Sequence, residues 1–280
     1  MDKIIQSVIS KVVGLFAFFT LSIIFLTGCS SEKNTQPAGP NAAPTPTRVI
    51  VLGTIQAQHR TSDKYSLAFL RAVLTEIAPD LILAEIPPER LDEALISYQQ
   101  TGQVTEARVA RFPEYTEVII PYALEQSVPI FGAAAWTQPK AEARTVELNR
   151  LARDETSREP WTRHMEALAT MNAALAGRED DPFFIHTRDY DTIIARGLTP
   201  YTTLFGAALG DTGWDAGNRA HYRLMSAGLD EIAGAGKTVV ITFGAAHKYW
   251  FRARLAERDD IKLVSPQPYL EAAARALDSP

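Results

Sequence analysis

Unbroken apolar runs, spaced so that a helix fits between them, most constrain what this chain can fold into. Arg48-Val-Ile-Val-Leu-Gly53 is β-branched and stopped by glycine. A helical pattern follows from about Ser62 through Leu67, Leu70, Val73, Leu74 and Ile77, and Asp80-Leu-Ile-Leu-Ala-Glu85 then repeats the apolar run with a charged end. That order predicts a βαβ unit. Ser127-Val-Pro-Ile-Phe-Gly132 comes after a helix containing Tyr122, Ala123 and Leu124; Lys237-Thr-Val-Val-Ile-Thr-Phe243 and a short Ile261-Lys-Leu-Val264 follow late in the chain. Runs that do not alternate belong to strands covered on both faces, so the expected fold class is α/β, a mostly parallel sheet with flanking helices built from βαβ-type units. A helical insertion is expected between Ala141 and Leu229, and residues 48–275 are expected to form a single domain without internal repeats.

Ahead of this domain, Lys3 and Lys11 precede or flank a short apolar stretch, Leu15 to Leu26, that ends in Leu26-Thr27-Gly28-Cys29. A basic start, an apolar stretch too short for a comfortable membrane span and small residues before the cut are the pattern of a bacterial lipoprotein signal. Residues 1–28 are therefore expected to be removed and Cys29 to be lipidated. Several acyl chains give lasting membrane attachment, unlike one. Residues 29–47 are rich in Pro, Ser, Thr and Asn and are expected to be a tether. The partner implied is the membrane, through the lipid anchor, with the domain in the cell envelope facing outside the cytoplasm; Ser30 is compatible with outer-membrane sorting. Losing Lys3, Lys11 and Asp2 takes the formal net charge from −5 to −6, which excludes a basic nucleic-acid-binding surface. Cys29 is the single cysteine, so lipidation leaves no disulfide, thiolate nucleophile or cysteine metal site.

In parallel sheets ligands bind beyond the carboxyl ends of the strands. The first strand runs into Gly53-Thr-Ile-Gln-Ala-Gln-His59, the second into Glu85 and on to Glu89 and Arg90, and the late strand into Gly244-Ala-Ala-His247. Two histidines and a carboxylate at one sheet edge suit acid/base work or a divalent metal such as Mn, Co or Zn, with His59, Glu85 and His247 as its ligands. Glu85 ends so apolar a strand that its carboxylate needs a partner. Asn218 and His221 stand one helical turn apart on the segment feeding the late strand. His164 is expected to be solvated, and His186 has no partner legible in the sequence. Gly236-Lys237-Thr238 resembles the end of a phosphate loop, but Glu231 stands where the first glycine belongs and a strand follows instead of a helix. No Gly-x-Ser-x-Gly elbow, His-Glu-x-x-His or post-strand Gly-x-Gly-x-x-Gly is present.

Gly53-Thr54-Ile55, the strand-end Glu85 and Thr242-Phe-Gly-Ala-Ala-His247 together resemble the superfamily joining the TraB and TIKI proteins, the erythromycin esterases and the ChaN-like haem-binding lipoproteins. The resemblance runs from Arg48 to about Leu270. It implies an α/β fold with a polar cleft and a hydrolase of ester or peptide bonds, either metal-dependent or using a histidine to activate water. In it His59, Glu85, His247 and Asn218 are the catalytic candidates, and Gln56, Arg90 and His221 the substrate-binding ones. Gln56 stands where the family has histidine, and an amide is neither a base nor a good ligand for a transition metal. His59 lies three residues on. Asn218 fits the family asparagine, in the order Gly217-Asn218-Arg219. The alternatives are a non-catalytic lipoprotein capturing haem or another small ligand, with Tyr65, Tyr249 and Trp250 facing it, or an inactive member mediating protein contacts. The ligand expected is thus a small molecule or a peptide.

Overall fold

A computed structural model describes residues 45–278; the signal segment, Cys29 and most of the tether lie outside the described residues. The chain is α/β. Five strands, β1 (Thr47–Thr54), β2 (Leu81–Ala84), β3 (Ile130–Gly132), β4 (Thr238–Gly244) and β5 (Ile261–Leu263), form one all-parallel sheet in the order β3-β2-β4-β1-β5. Thr45 adds an isolated parallel bridge to Ala235.

The unbroken apolar runs are explained by the two faces of this sheet. Alternate residues of a strand point to opposite sides. Ile50, Leu52, Ile82, Ala84 and Val240 enter one core. There they meet α1 (Leu67–Ile77), α2 (Pro88–Thr101), α3 (Ile120–Gln126) and a π-helical turn over Glu114–Ile119. Val49, Val51, Leu81, Leu83, Val239, Ile241 and Phe243 enter the other, against Met225, Leu229, Phe251 and Leu255. With both sides buried, both parities of the strand are apolar apart from threonines such as Thr242.

α1 begins where Ser66 caps it, the hydroxyl accepting from the Phe69 N–H at 3.2 Å, and ends at Ala78 in the left-handed region. The β1-α1-β2 segment is the βαβ unit that the sequence order predicts, but its two strands are not neighbours in the sheet. β4 lies between them, with Arg48 registered on Thr238 and Leu81 on Val239. The polar exit of each strand is nevertheless on the same sheet edge, because all five run parallel.

Between β3 and β4 the described chain is helical. α4 (Gln138–Arg153), α5 (Arg158–Leu175), a single turn α6 (Pro182–Ile185), α7 (Arg188–Leu209) and α8 (Trp214–Asp230) follow one another. α6 sends Phe184 and Ile185 into the first core, while α4, α5, α7 and Trp214 of α8 pack around Leu151, Tyr201, Phe205 and Leu209. His164 lies inside this cluster, 7% exposed and against Trp161, Tyr201 and Phe205, not solvated as its polar flanks suggest. α9 (Lys248–Leu255) and α10 (Gln267–Asp278) complete the fold. Lys248 is buried and paired with Asp191, which fastens α9 to α7. Among the described residues no helix is long and apolar enough to cross a membrane.

Candidate functional site

The site is assembled around Gly244, the last residue of β4. A Cβ built on it would stand 3.4 Å from Gln56 Nε2, 3.5 Å from Glu85 Oε2 and 3.8 Å from His247 Cδ2. Side chains from the exits of β1, β2 and β4 therefore share the space that a hydrogen leaves open. Glu85 Oε2 also accepts the Gly244 N–H at 2.8 Å. Gly53, one strand over, is needed for a different reason: its Cβ would lie 2.9 Å from Ala245 Cα, so the two strand-end turns could not close together.

His247 is held in one orientation and one tautomer. Its Nδ1–H donates to Asn218 Oδ1 at 2.6 Å, which leaves the lone pair on Nε2. The ring stacks on Trp214, centroids 4.4 Å apart and 20° between planes, and lies nearly parallel to Phe251 at 5.7 Å. Burial drives its pKa well below the ordinary 6.5, aided by His221 and Arg144, so the imidazole is neutral. Asn218 is fully buried, and its Nδ2 has no hydrogen-bond partner among the described residues. His221, one turn along α8, accepts the Ala135 N–H at Nδ1 (2.8 Å) and meets the His247 ring edge-on at 5.6 Å. It ties the loop after β3 to the site, and burial with Arg108 and Lys140 lowers it to about 4.

Glu85 is pushed up to about 7 by burial of its carboxyl, against the lowering pull of the Gly244 N–H and of Arg108. Beside it lies a second acid that the sequence did not point to. Glu114 is 0% exposed, and neither of its carboxylate oxygens has a hydrogen-bond partner among the described residues. Burial raises it to about 7 as well, against the pull of its own N–H and of the Thr54 hydroxyl, and the charge of Glu85 adds to the rise. Tyr115 links the two elements, its hydroxyl donating to Thr242 O at 3.1 Å and accepting from the Glu85 N–H at 3.2 Å. The π-helical turn widens the backbone at this point, a distortion found often at functional sites.

Several expected site residues stand elsewhere. His59 does not take the place of the missing histidine. Its Nδ1–H donates to Tyr65 O at 2.7 Å and its Nε2 accepts the Ile55 N–H at 3.1 Å, so both nitrogens are spent on backbone. Burial lowers it to about 4. His186 does the same one step earlier, bonding Pro182 O at 2.6 Å and the Gly53 N–H at 3.0 Å. Two neutral histidines thus latch the exit of β1, and the Tyr65 hydroxyl adds a third tie to Gly53 O at 3.0 Å. Arg90 is occupied by Glu106, itself buried. The guanidinium that acts on Glu85 and His221 belongs instead to Arg108.

The expected metal tripod of His59, Glu85 and His247 is not formed: His59 has no free nitrogen, and among the described residues no group of three or more His, Cys, Asp or Glu could hold an ion. The residues named for haem do not fit it either. Tyr65 is wholly buried and bound to Gly53 O, while Tyr249 accepts from Trp214 Nε1 at 2.9 Å and Trp250 donates to Asp215 at 3.2 Å. The lipidation site Cys29 lies outside the described residues. No protein-family model, curated protein or solved structure matches the chain.

Proposed function

We propose that this chain is a lipid-anchored hydrolase of the cell envelope that cleaves an ester or amide bond without a metal, with His247 activating water. The observation that carries the reading is the 2.6 Å bond from His247 Nδ1–H to Asn218 Oδ1, on a ring fixed against Trp214. A neutral imidazole so oriented offers a single basic lone pair at a fixed place.

In this reading His247 Nε2 takes a proton from water as the hydroxyl oxygen bonds to the substrate's carbonyl carbon. The Gln56 amide, on the other side of Gly244, donates to the oxyanion that develops. Glu85, held near neutrality by burial, gives its proton to the leaving oxygen or nitrogen as the carbon–leaving-group bond breaks. Proton transfer from imidazolium to carboxylate restores the starting state. The likeness of the Gly53-Thr54, Glu85 and Gly244-Ala-Ala-His247 exits to the TraB, TIKI and erythromycin-esterase superfamily supports the same chemistry, and membership of that superfamily is part of the proposal.

The test is turnover of a panel of activated esters and short peptide amides by the full chain in neutral detergent with chelator present. His247→Ala should cost about 10²–10⁴-fold in kcat, the usual worth of a positioned base. Asn218→Leu should lower kcat and leave KM near its wild-type value, since it frees the ring without touching substrate. Equal turnover by His247→Ala, or activity that returns only with added metal, would refute it.

A further inference from the structure

Arg108, Lys140 and Arg144 are part-buried basic side chains with no carboxylate at ion-pair distance among the described residues. The other arginines and lysines there that are buried or part-buried, Arg71, Arg90, Lys248, Arg252 and Arg258, are all paired. The three exceptions are gathered at one place. Lys140 and Arg144 stand one turn apart on α4, which starts just after the loop whose Ala135 N–H is bound by His221. Arg144 donates through Nε to the Tyr201 hydroxyl at 3.2 Å and lies over Trp136, 5.6 Å from the ring centre. Arg108 reaches the same ground from the segment before the π-helical turn, acting on both Glu85 and His221.

Withdrawing cations from water without an ion pair is costly, and Arg108, though it feels the charges of Glu85, Glu106 and Glu89, touches none of them and is repelled by Arg90. Nothing in the packing repays this, because Arg108 and Lys140 hold up no other described side chain by hydrogen bond. The orphaned Nδ2 of Asn218 adds a buried donor with no acceptor beside the same histidine. We infer that the cleft binds its ligand through an anionic oxygen group, a carboxylate or a phosphate, held by Arg108 and Lys140 with Arg144 at the His247 end. Guanidinium forks suit both groups. The inference names the ligand class of the site read above and rests on that reading for the place being a substrate site; the three cations without an ion pair stand without it.

The experiment titrates the full chain, in neutral detergent at constant ionic strength, with inorganic phosphate and separately with acetate against a chloride control. Calorimetry and thermal melting are the readouts, and the two arms separate a phosphate from a carboxylate ligand. One anion should bind saturably and raise the melting temperature where chloride does not. Arg108→Gln and Lys140→Gln should each weaken that binding by about tenfold or more, whereas the exposed Lys262→Gln should not change it. Without anion, both cleft variants should melt close to the wild-type temperature, since neither side chain holds another described side chain by a hydrogen bond or ion pair. His247→Ala should keep the binding, so binding without hydrolysis removes only the hydrolase reading. The inference is overturned if neither anion exceeds chloride, if affinity survives in both cleft variants, or if Arg108→Gln and Lys140→Gln melt well below wild type, which would make the cations structural.

Discussion

Replacing Glu114 by glutamine should stabilise this protein at neutral and alkaline pH and leave it nearly unchanged in acid. Glu114 is fully buried with no donor in good hydrogen-bond geometry, and burial raises its carboxyl from the ordinary 4.5 to about 7 against the lowering pull of its own N–H and the Thr54 hydroxyl. Between those two values the folded protein keeps a proton that the unfolded chain has released, so folding loses stability as pH rises through that window. At about 1.36 kcal/mol for each pH unit, the loss amounts to about 3 kcal/mol by the upper end and is constant beyond it. A glutamine at this position would occupy the same volume, stay neutral and never incur that loss. Urea unfolding followed by the fluorescence of the four tryptophans, repeated in steps from pH 4.5 to about pH 8, gives the difference curve for the variant. It should start near zero and climb to about 3 kcal/mol in favour of Glu114→Gln. A flat difference, or a variant less stable at every pH, would mean that the carboxyl is charged and satisfied in the folded state, and the reasoning would fail.

The buried histidines act in the opposite direction. His59, His186 and His221 fall from 6.5 to about 4, 3 and 4, so stability is present above pH 6.5 and is lost as pH falls toward 4, which a plot of melting temperature against pH would show. His186→Ala should cost about 2–4 kcal/mol by leaving the Gly53 N–H and Pro182 carbonyl without a partner, read by urea unfolding; a loss under about 0.5 kcal/mol would show that water replaces the ring. Gly53→Ala pushes against the backbone of Ala245 and should cost about 1–3 kcal/mol. Gly244→Ala meets its neighbours at ordinary contact distance, so stability should change by under about 1 kcal/mol while turnover falls; full activity in that variant would deny that the space beside Gly244 is where substrate sits.

The strands were legible because being covered on both faces forces an unbroken apolar run, and each lies within a residue or so of the segment its composition marks except β3, which starts at Ile130, three residues into Ser127–Gly132. Strand order was not, since nothing local in Lys237–Phe243 says that it will lie between β1 and β2. The exits of β2 and β4 could be named as site elements from their polar ends, and Asn218 from its place before the late strand. His59 misled because a buried histidine that joins two backbone groups looks, in sequence, like one that serves a ligand. Glu114 was not singled out in the sequence, because only the π-helical turn and distant packing bury it. Arg108 was passed over for Arg90 because the competition for Glu106 is decided in three dimensions.

The late insertion of β4 sets a schedule for how this molecule is made. Arg48 has no lasting neighbour on that side until Thr238 has been synthesised, and Leu81 waits equally long for Val239. Until then the first half of the chain carries a gap with two unpaired apolar edges, which is the state in which parallel sheets aggregate. The Gln56, Glu85 and His247 side chains meet only when β4, which ends in Gly244 and carries His247 behind it, enters between β1 and β2. Assembly of the sheet and assembly of the site are thus the same event, and a nascent chain would carry neither.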